Sequence, residues 1–301
     1  MRALITGAGG FVGRHLARHL EAEGDEVCRL DRQGSGGVDV TDPQALRATF
    51  ADARPEAVYH LAALTHVGAS WDDPGRVLRV NAEGTLNVLR ASAEVGARRI
   101  LVVGSAEEYG RVAEADLPLR EDAPLRPLTP YGASKVAASF LALQAFLADG
   151  LGVVRVRAFN HAGPGQSESF LIAALACRIV AAERRGDEEI RVGSLDAVRD
   201  LLDVRDVVVA YRLLVEHGEA GEVYNVCSGR GRRVAEVAEA LVALARHPLR
   251  LTVDPALLRP VEVPRLVGDP ARLRARTGFE PRWRLEDTLA DVMADWRARA
   301  G

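Results

Sequence analysis

Tyr131 and Lys135 stand four residues apart in Tyr-Gly-Ala-Ser-Lys, so on a helix they share one face. A phenol has a reference pKa of about 10 and is a poor acid or base at neutral pH; a neighbouring ammonium stabilises the phenolate and draws that value down. A tyrosine tuned in this way can give a proton to a carbonyl oxygen while hydride arrives at its carbon. Ser105 ends an apolar run in Gly-Ser-Ala-Glu-Glu-Tyr-Gly, where its hydroxyl could bind the same oxygen, with Glu107 two residues further on. Alone, a Tyr-x-x-x-Lys spacing or a strand-end serine is an ordinary occurrence. Together they outline a candidate proton-transfer site.

A second constellation opens the chain. Thr6-Gly7-Ala8-Gly9-Gly10-Phe11-Val12-Gly13 joins an apolar run to a helical pattern. Gly7 permits a sharp turn, Gly10 a close approach of backbone to a pyrophosphate, and Gly13 tight helix–strand packing, with Phe11 and Val12 carried on the same turn. The helix start behind them offers N–H groups to phosphate. The spacing is GxxGxxG, and its place between strand and helix is what gives it meaning. Asp31 closes the next apolar run, eighteen residues after Gly13. A carboxylate there accepts from ribose hydroxyls and repels a 2′-phosphate, which favours NAD, although Arg32 beside it could hold that phosphate and NADP stays open. Asp39, next to Val40, is placed to reach an adenine or to serve as a turn acid.

These groups need a scaffold. Apolar runs at 3–6, 27–31, 57–62, 99–104 and 153–158 alternate with helical patterns at 12–23, 43–50, 74–95 and 131–148. Such alternation predicts an α/β fold, a doubly wound parallel sheet with helices on both faces. After about residue 160 the order loosens: helices are expected at 170–185, 203–216, 234–245 and from 285, with strands at 190–192 and 222–226. A smaller C-terminal α/β domain, interleaved with the first, is expected over 161–301, with 194–227 contributing to the first domain of 1–160. Nothing in the chain reads as a repeat or a linker.

Composition narrows the classes. The net charge is −3, from 39 basic and 42 acidic side chains, with no basic excess for nucleic acid. Cys28, Cys177 and Cys227 are odd in number and widely spaced, with no CxxC and no His cluster, so neither a disulfide frame nor a metal site is expected. The chain runs directly into its first strand and contains no long apolar stretch, so a cytoplasmic protein without a membrane anchor is expected.

The glycine turn, His60-Leu61-Ala62-Ala63, Asn81 in Val-Asn-Ala-Glu-Gly-Thr, the Ser105 strand end and the Tyr131/Lys135 pair resemble the extended short-chain dehydrogenases across essentially the whole chain. The resemblance implies a Rossmann-type sheet holding NAD(H) or NADP(H). It implies Ser105, Tyr131 and Lys135 as the catalytic triad, Lys135 on the nicotinamide ribose, and Leu61, Ala62, Ala63 and Asn81 at the cofactor. Asn160 and His161 in Phe-Asn-His-Ala-Gly-Pro-Gly-Gln, Arg199 in Arg-Asp-Leu-Leu-Asp, and Arg259 in Arg-Pro-Val-Glu-Val-Pro look like the branch that handles GDP-linked 6-deoxyhexoses. There they would meet a nucleotide-diphosphate sugar. That branch implies reduction of a 4-keto sugar; 4,6-dehydration, for which Glu107 speaks, and 4-epimerisation are the alternatives. The helices at 74–95 and 131–148 would pair in a homodimer, or could equally be buried against the sheet.

Overall fold

Leu4, Ile5, Val58, Tyr59, Leu101, Val102, Val154 and Val156 are all buried, and they form consecutive apolar strands covered on both faces. In the computed structural model, which describes residues 1–32, 37–257 and 263–300, the first half contains β1 (Arg2–Thr6), β2 (Glu26–Leu30), β3 (Ala57–His60), β4 (Arg99–Ser105) and β5 (Val153–Ala158). Between them run α1 (Phe11–Ala22), α2 (Pro43–Ala53), α3 (Pro74–Leu78), α4 (Gly84–Glu94) and α5 (Pro130–Asp149). The second half adds β6 (Asn160–Ala162), α6 (Leu171–Arg185), β7 (Glu189–Val192), β8 (Val198–Asp203), α7 (Val204–His217) and β9 (Val223–Val226). It ends with β10 (Gly231–Arg233), α8 (Val234–Val242), β11 (Arg250–Val253), β12 (Arg265–Leu266), α9 (Ala271–Thr277) and α10 (Leu285–Ala300).

The main sheet is parallel throughout, in the order β2-β1-β3-β4-β5-β9. Leu16, Leu20, Tyr211 and Leu214 from α1 and α7 bury one face. Leu46, Phe50, Val88 and Ala142 from α2, α4 and α5 bury the other. The sheet is therefore doubly wound, as the alternation of patterns predicts. Its strand order reverses at β1, and in such sheets ligands sit beyond the strand ends at that crevice. A separate core of Ile172, Ile179, Ile190, Val237, Leu241 and Val292 holds α6, α8 and α10 together. The β8 strand carries β10, β12 and β6, while β7 pairs with β11.

Two details stand out against the sequence expectation. The single helix expected at 74–95 is α3 and α4 joined by a π turn at Arg79–Glu83. The β8 strand was not anticipated, because Val-Arg-Asp-Leu-Leu-Asp reads as charged. Its Asp200 is fully buried, accepting from the Ser228 N–H (2.7 Å) and hydroxyl (2.6 Å), the Gly229 N–H (2.9 Å) and the Gly268 N–H (3.3 Å). A charge so fully satisfied can occupy an interior strand. Arg259 and most of the Gly34–Gly37 loop lie outside the described residues. Among the described residues no helix is long and apolar enough to cross a membrane.

Candidate active site

At the C-terminal ends of the main strands a cavity of about 940 Å³ runs from the Gly7 turn past Ser105 and Tyr131 to α6, large enough for a cofactor and a substrate together. At its first end Gly7 has φ +72°, and a Cβ there would lie 2.9 Å from the Ala62 backbone. A Cβ on Gly13 would meet the Gly7 carbonyl and sit 2.7 Å from Ala8 Cα. The glycines thus let β1, β3 and α1 close on one another. Gly10 caps α1 without any side-chain hydrogen bond, and the first turn carries no acid. Its N–H groups and positive dipole end remain available for a pyrophosphate. Asp31, at the end of β2, lines the cavity and accepts the Gly9 N–H at 2.8 Å. Arg32, Val40, Leu61, Ala62 and Ala63 line the same end, as does Asp39, which accepts from the Thr41 N–H at 2.9 Å and hydroxyl at 2.7 Å.

The middle of the cavity belongs to Ser105, Glu107, Tyr131 and Lys135. Thr129 caps α5, its hydroxyl accepting the Gly132 N–H at 3.0 Å, and Pro130 occupies the first turn. Gly132 lets the helix approach the turn after β4: a Cβ there would stand 2.6 Å from the Glu107 carbonyl oxygen. Ser105 Oγ accepts the Glu107 N–H at 3.2 Å, so its own proton can serve another acceptor.

Asn81 stands behind the cavity wall. It is buried and does not line the cavity; its amide accepts from the Leu64 N–H (2.8 Å) and donates to the Leu64 carbonyl (3.1 Å) and to Ser134 Oγ (2.9 Å). Ser134 in turn donates to the Tyr131 carbonyl at 2.7 Å. The π turn aims Asn81 inward as a brace between the loop at 64 and the helix bearing Tyr131. Both donors of its amide and one acceptor position of Oδ1 are taken by protein partners.

At the far end stand Asn160, His161 and Arg199, and also Arg178, which the sequence reading missed. Leu171, Ala174, Leu175 and Arg178 all line the cavity; their i, i+3, i+4, i+7 spacing is one helix face, and a cation ending an apolar stripe was the legible signal. His161 Nδ1 donates to the Phe159 carbonyl at 2.9 Å, and its ring lies over Phe11, 6.1 Å between centroids and 10° from parallel. It links the two ends of the site. Two buried polar atoms on the cavity residues, the Tyr211 hydroxyl and Gln166 Oε1, have no protein partner. Buried polar atoms of this kind call for a partner, and a polar ligand supplies one. Cradle, free helix start and orphan atoms together fit a dinucleotide.

The family described as NAD dependent epimerase/dehydratase matches residues 3–227. The chain belongs to that family. It is 40% identical to GDP-6-deoxy-D-mannose reductase of Pseudomonas aeruginosa over 99% of this chain and 98% of that protein. It is 33% identical to UDP-glucose 4-epimerase of Streptomyces lividans over 92% and 91% of the two chains. The structure of RMD from Pseudomonas aeruginosa complexed with NADPH superposes with a TM-score of 0.90 at 39% identity, covering 99% of this chain and all of that one. An NAD(P) cofactor follows for this chain, in agreement with the cradle.

Electrostatics in this family member differ from the sequence expectation at one point. Burial pushes the Tyr131 phenol above its ordinary range; the Ser105 hydroxyl opposes this, while the Glu107 and Glu108 carboxylates add to it. The cost of desolvating a phenolate sets the direction, and Lys135 Nζ, which donates to the Val103 carbonyl at 2.6 Å, does not reverse it. Tyr131 is thus protonated at neutral pH, the state a proton donor needs. Burial brings Lys135 down to about 8, opposed by the Glu108 carboxylate. Of the 39 Lys and Arg side chains, 38 are arginine; Lys135 is the single lysine. Arginine stays charged and presents a planar fork, so a compact ammonium able to release a proton is what sets this position apart.

Proposed function

We propose that the chain reduces the 4-keto group of a GDP-linked 6-deoxyhexose with NAD(P)H, forming the 4-hydroxy sugar nucleotide of GDP-rhamnose type. The observation that carries this reading is the meeting in one cavity of a pyrophosphate cradle with Ser105, Tyr131 and Lys135; similarity to a GDP-sugar reductase over the whole chain supports the substrate. An NAD(P)H whose pyrophosphate is held at Gly7, Gly10 and Gly13 would supply the hydride. Ser105 orients the C4 oxygen, Tyr131 gives it a proton, and Lys135 holds the ribose and steadies the phenolate left behind. The ketone gains a hydride at carbon and a proton at oxygen, and the cofactor, giving up the hydride, is oxidised by two electrons. Asn160, His161, Arg199 and Arg178 would bind the nucleotide diphosphate and its ribose. Residues 1–160 with 194–227 would carry the cofactor, and the remainder of 161–301 the sugar nucleotide.

The test combines the GDP-4-keto-6-deoxy sugar, GDP-mannose and UDP-glucose separately with NADH or NADPH. Loss of reduced-nicotinamide absorbance with the keto sugar alone is expected, faster with NADH because Asp31 would stand against a 2′-phosphate. Keto-sugar formation from GDP-mannose without net cofactor change would replace this reading by dehydration. Glu107 favours that second reading, since it lines the cavity and bears on Tyr131. Ala106 beside it, with nothing to donate or accept, favours the reductase.

Phe140 and Leu147, one heptad apart on α5, are 54% and 72% exposed, and Leu78 at the end of α3 is 51% exposed. Apolar exposure along neighbouring helices suits a second copy of the chain. Sedimentation should give twice the chain mass, falling to one chain in Phe140→Asp/Leu147→Asp; a monomeric parent removes the dimer. Three free cysteines are in keeping with a cytoplasmic setting.

A further inference from the structure

Beyond the residues that face the cavity, one fully buried carboxylate holds the backbone of Ser105. Glu108 is 0% exposed and closes the turn after β4. Its Oε1 accepts the backbone N–H of Ser105 at 2.9 Å, and its Oε2 accepts Nε–H of Arg157 at 3.1 Å. Both oxygens receive donors, and arginine does not release its proton, so the group is held as a carboxylate although burial pushes its pKa up. Gly104 makes room for it: a Cβ at that position would strike Glu108 Oε1. Arg157, 4% exposed, spends its remaining donors on the Tyr109 hydroxyl (3.0 Å) and the Glu121 carbonyl (2.9 Å). Ser105 is clasped from both ends, its N–H by Glu108 and its Oγ by the Glu107 N–H.

We propose that Glu108 is a positioning residue for proton transfer: its carboxylate fixes the backbone of Ser105 and is the counter-charge of buried Lys135. The groups facing this pair are few. Glu108 pairs with Arg157 from β5, and Glu108 and Lys135 grip β4 two residues apart, at the Ser105 N–H and the Val103 carbonyl; Tyr131 from α5 and, from β3, His60, which burial keeps neutral with a pKa of about 3, are the other titratable groups acting there. Among the described residues Glu108 is the carboxylate that acts on the ammonium, whose Nζ donates to the neutral Val103 carbonyl. The inference rests on the reading of Ser105, Tyr131 and Lys135 as the proton-transfer group.

Because Lys135 is the single lysine, lysine labelled with 13C at Cε yields one side-chain signal whose titration reports this site directly. Glu108→Gln keeps an acceptor for Ser105 and removes the charge. The midpoint, near 8 in the parent, should fall by about one pH unit or more, as expected when an opposite charge at close range is lost. The ammonium is lost as pH rises through that midpoint, so the basic limb of the kcat profile should move down with it. At pH 8 kcat should drop about fivefold or more at constant KM. Glu108→Gln alone strands a buried guanidinium and could fail to fold; Glu108→Gln/Arg157→Gln removes both charges and should show the same displacement. An unmoved lysine midpoint in either folded variant overturns the proposal. Tyr131→Phe tests the underlying reading separately: if that variant is fully active the triad is wrong, whereas the lysine titration still reports on Glu108.

Discussion

Tyr131→Phe should bind NAD(P)H as the parent does, melt within a few degrees of it, and turn over about a thousandfold more slowly. The ring is 7% exposed and keeps its packing in the variant, so the change removes one oxygen and its proton. A positioned general acid contributes roughly 10²–10⁴ in rate, and a thousandfold loss is about 4 kcal/mol of transition-state stabilisation. The loss should fall in kcat, since the phenol acts on charge that develops only as hydride arrives. Water entering the space left by the hydroxyl is hindered by the same burial that keeps the phenol protonated. Steady-state kinetics and a cofactor titration on one preparation decide the matter. A variant within tenfold of the parent would remove Tyr131 from the chemistry.

Gly13→Ala should weaken NAD(P)H binding by about a hundredfold, near 2.7 kcal/mol, and also lower the melting temperature. The added carbon meets backbone on both sides, the Gly7 carbonyl and Ala8 Cα at 2.7 Å, so neither neighbour can yield by rotating a side chain. Overpacking of this kind costs roughly 1–3 kcal/mol, and relief requires α1 to move off β1, which turns its N–H groups away from the pyrophosphate. Gly10→Ala separates the two effects. A Cβ there has one neighbour, the Gly7 carbonyl oxygen at 3.1 Å, so the empty protein should melt almost as the parent while the ligand finds its path narrowed. Calorimetric titration and thermal melts on both variants test this. Equal affinity in Gly13→Ala and the parent would show that the turn holds no phosphate.

Much of this molecule was legible before folding was considered. Main-sheet strands β1 to β5 fall on the apolar runs and their helices on the 3.6-residue patterns, because both signals are local and reflect burial on two faces. Tyr131 and Lys135 share a helix face by spacing alone, and the glycine turn announces a close approach because no other residue tolerates it. Charged β8 escaped notice, since Asp200 is stabilised by Ser228, Gly229 and Gly268, which are remote in the chain. The bracing of Leu64 and Ser134 by Asn81 was likewise not legible, since it depends on the π turn and on contacts remote in the chain.

Residue identity and spacing determined by themselves which groups are candidates for the chemistry: a phenol, a hydroxyl and the single ammonium, beside a glycine turn suited to phosphate. Only the tertiary structure decided the state in which those groups wait. Burial holds the phenol protonated, brings Lys135 to about 8, and sets Glu108 with Arg157 behind them. Desolvation and charge pairing depend on what surrounds a group in space, and β5, which supplies Arg157, lies 49 residues along the chain from Glu108.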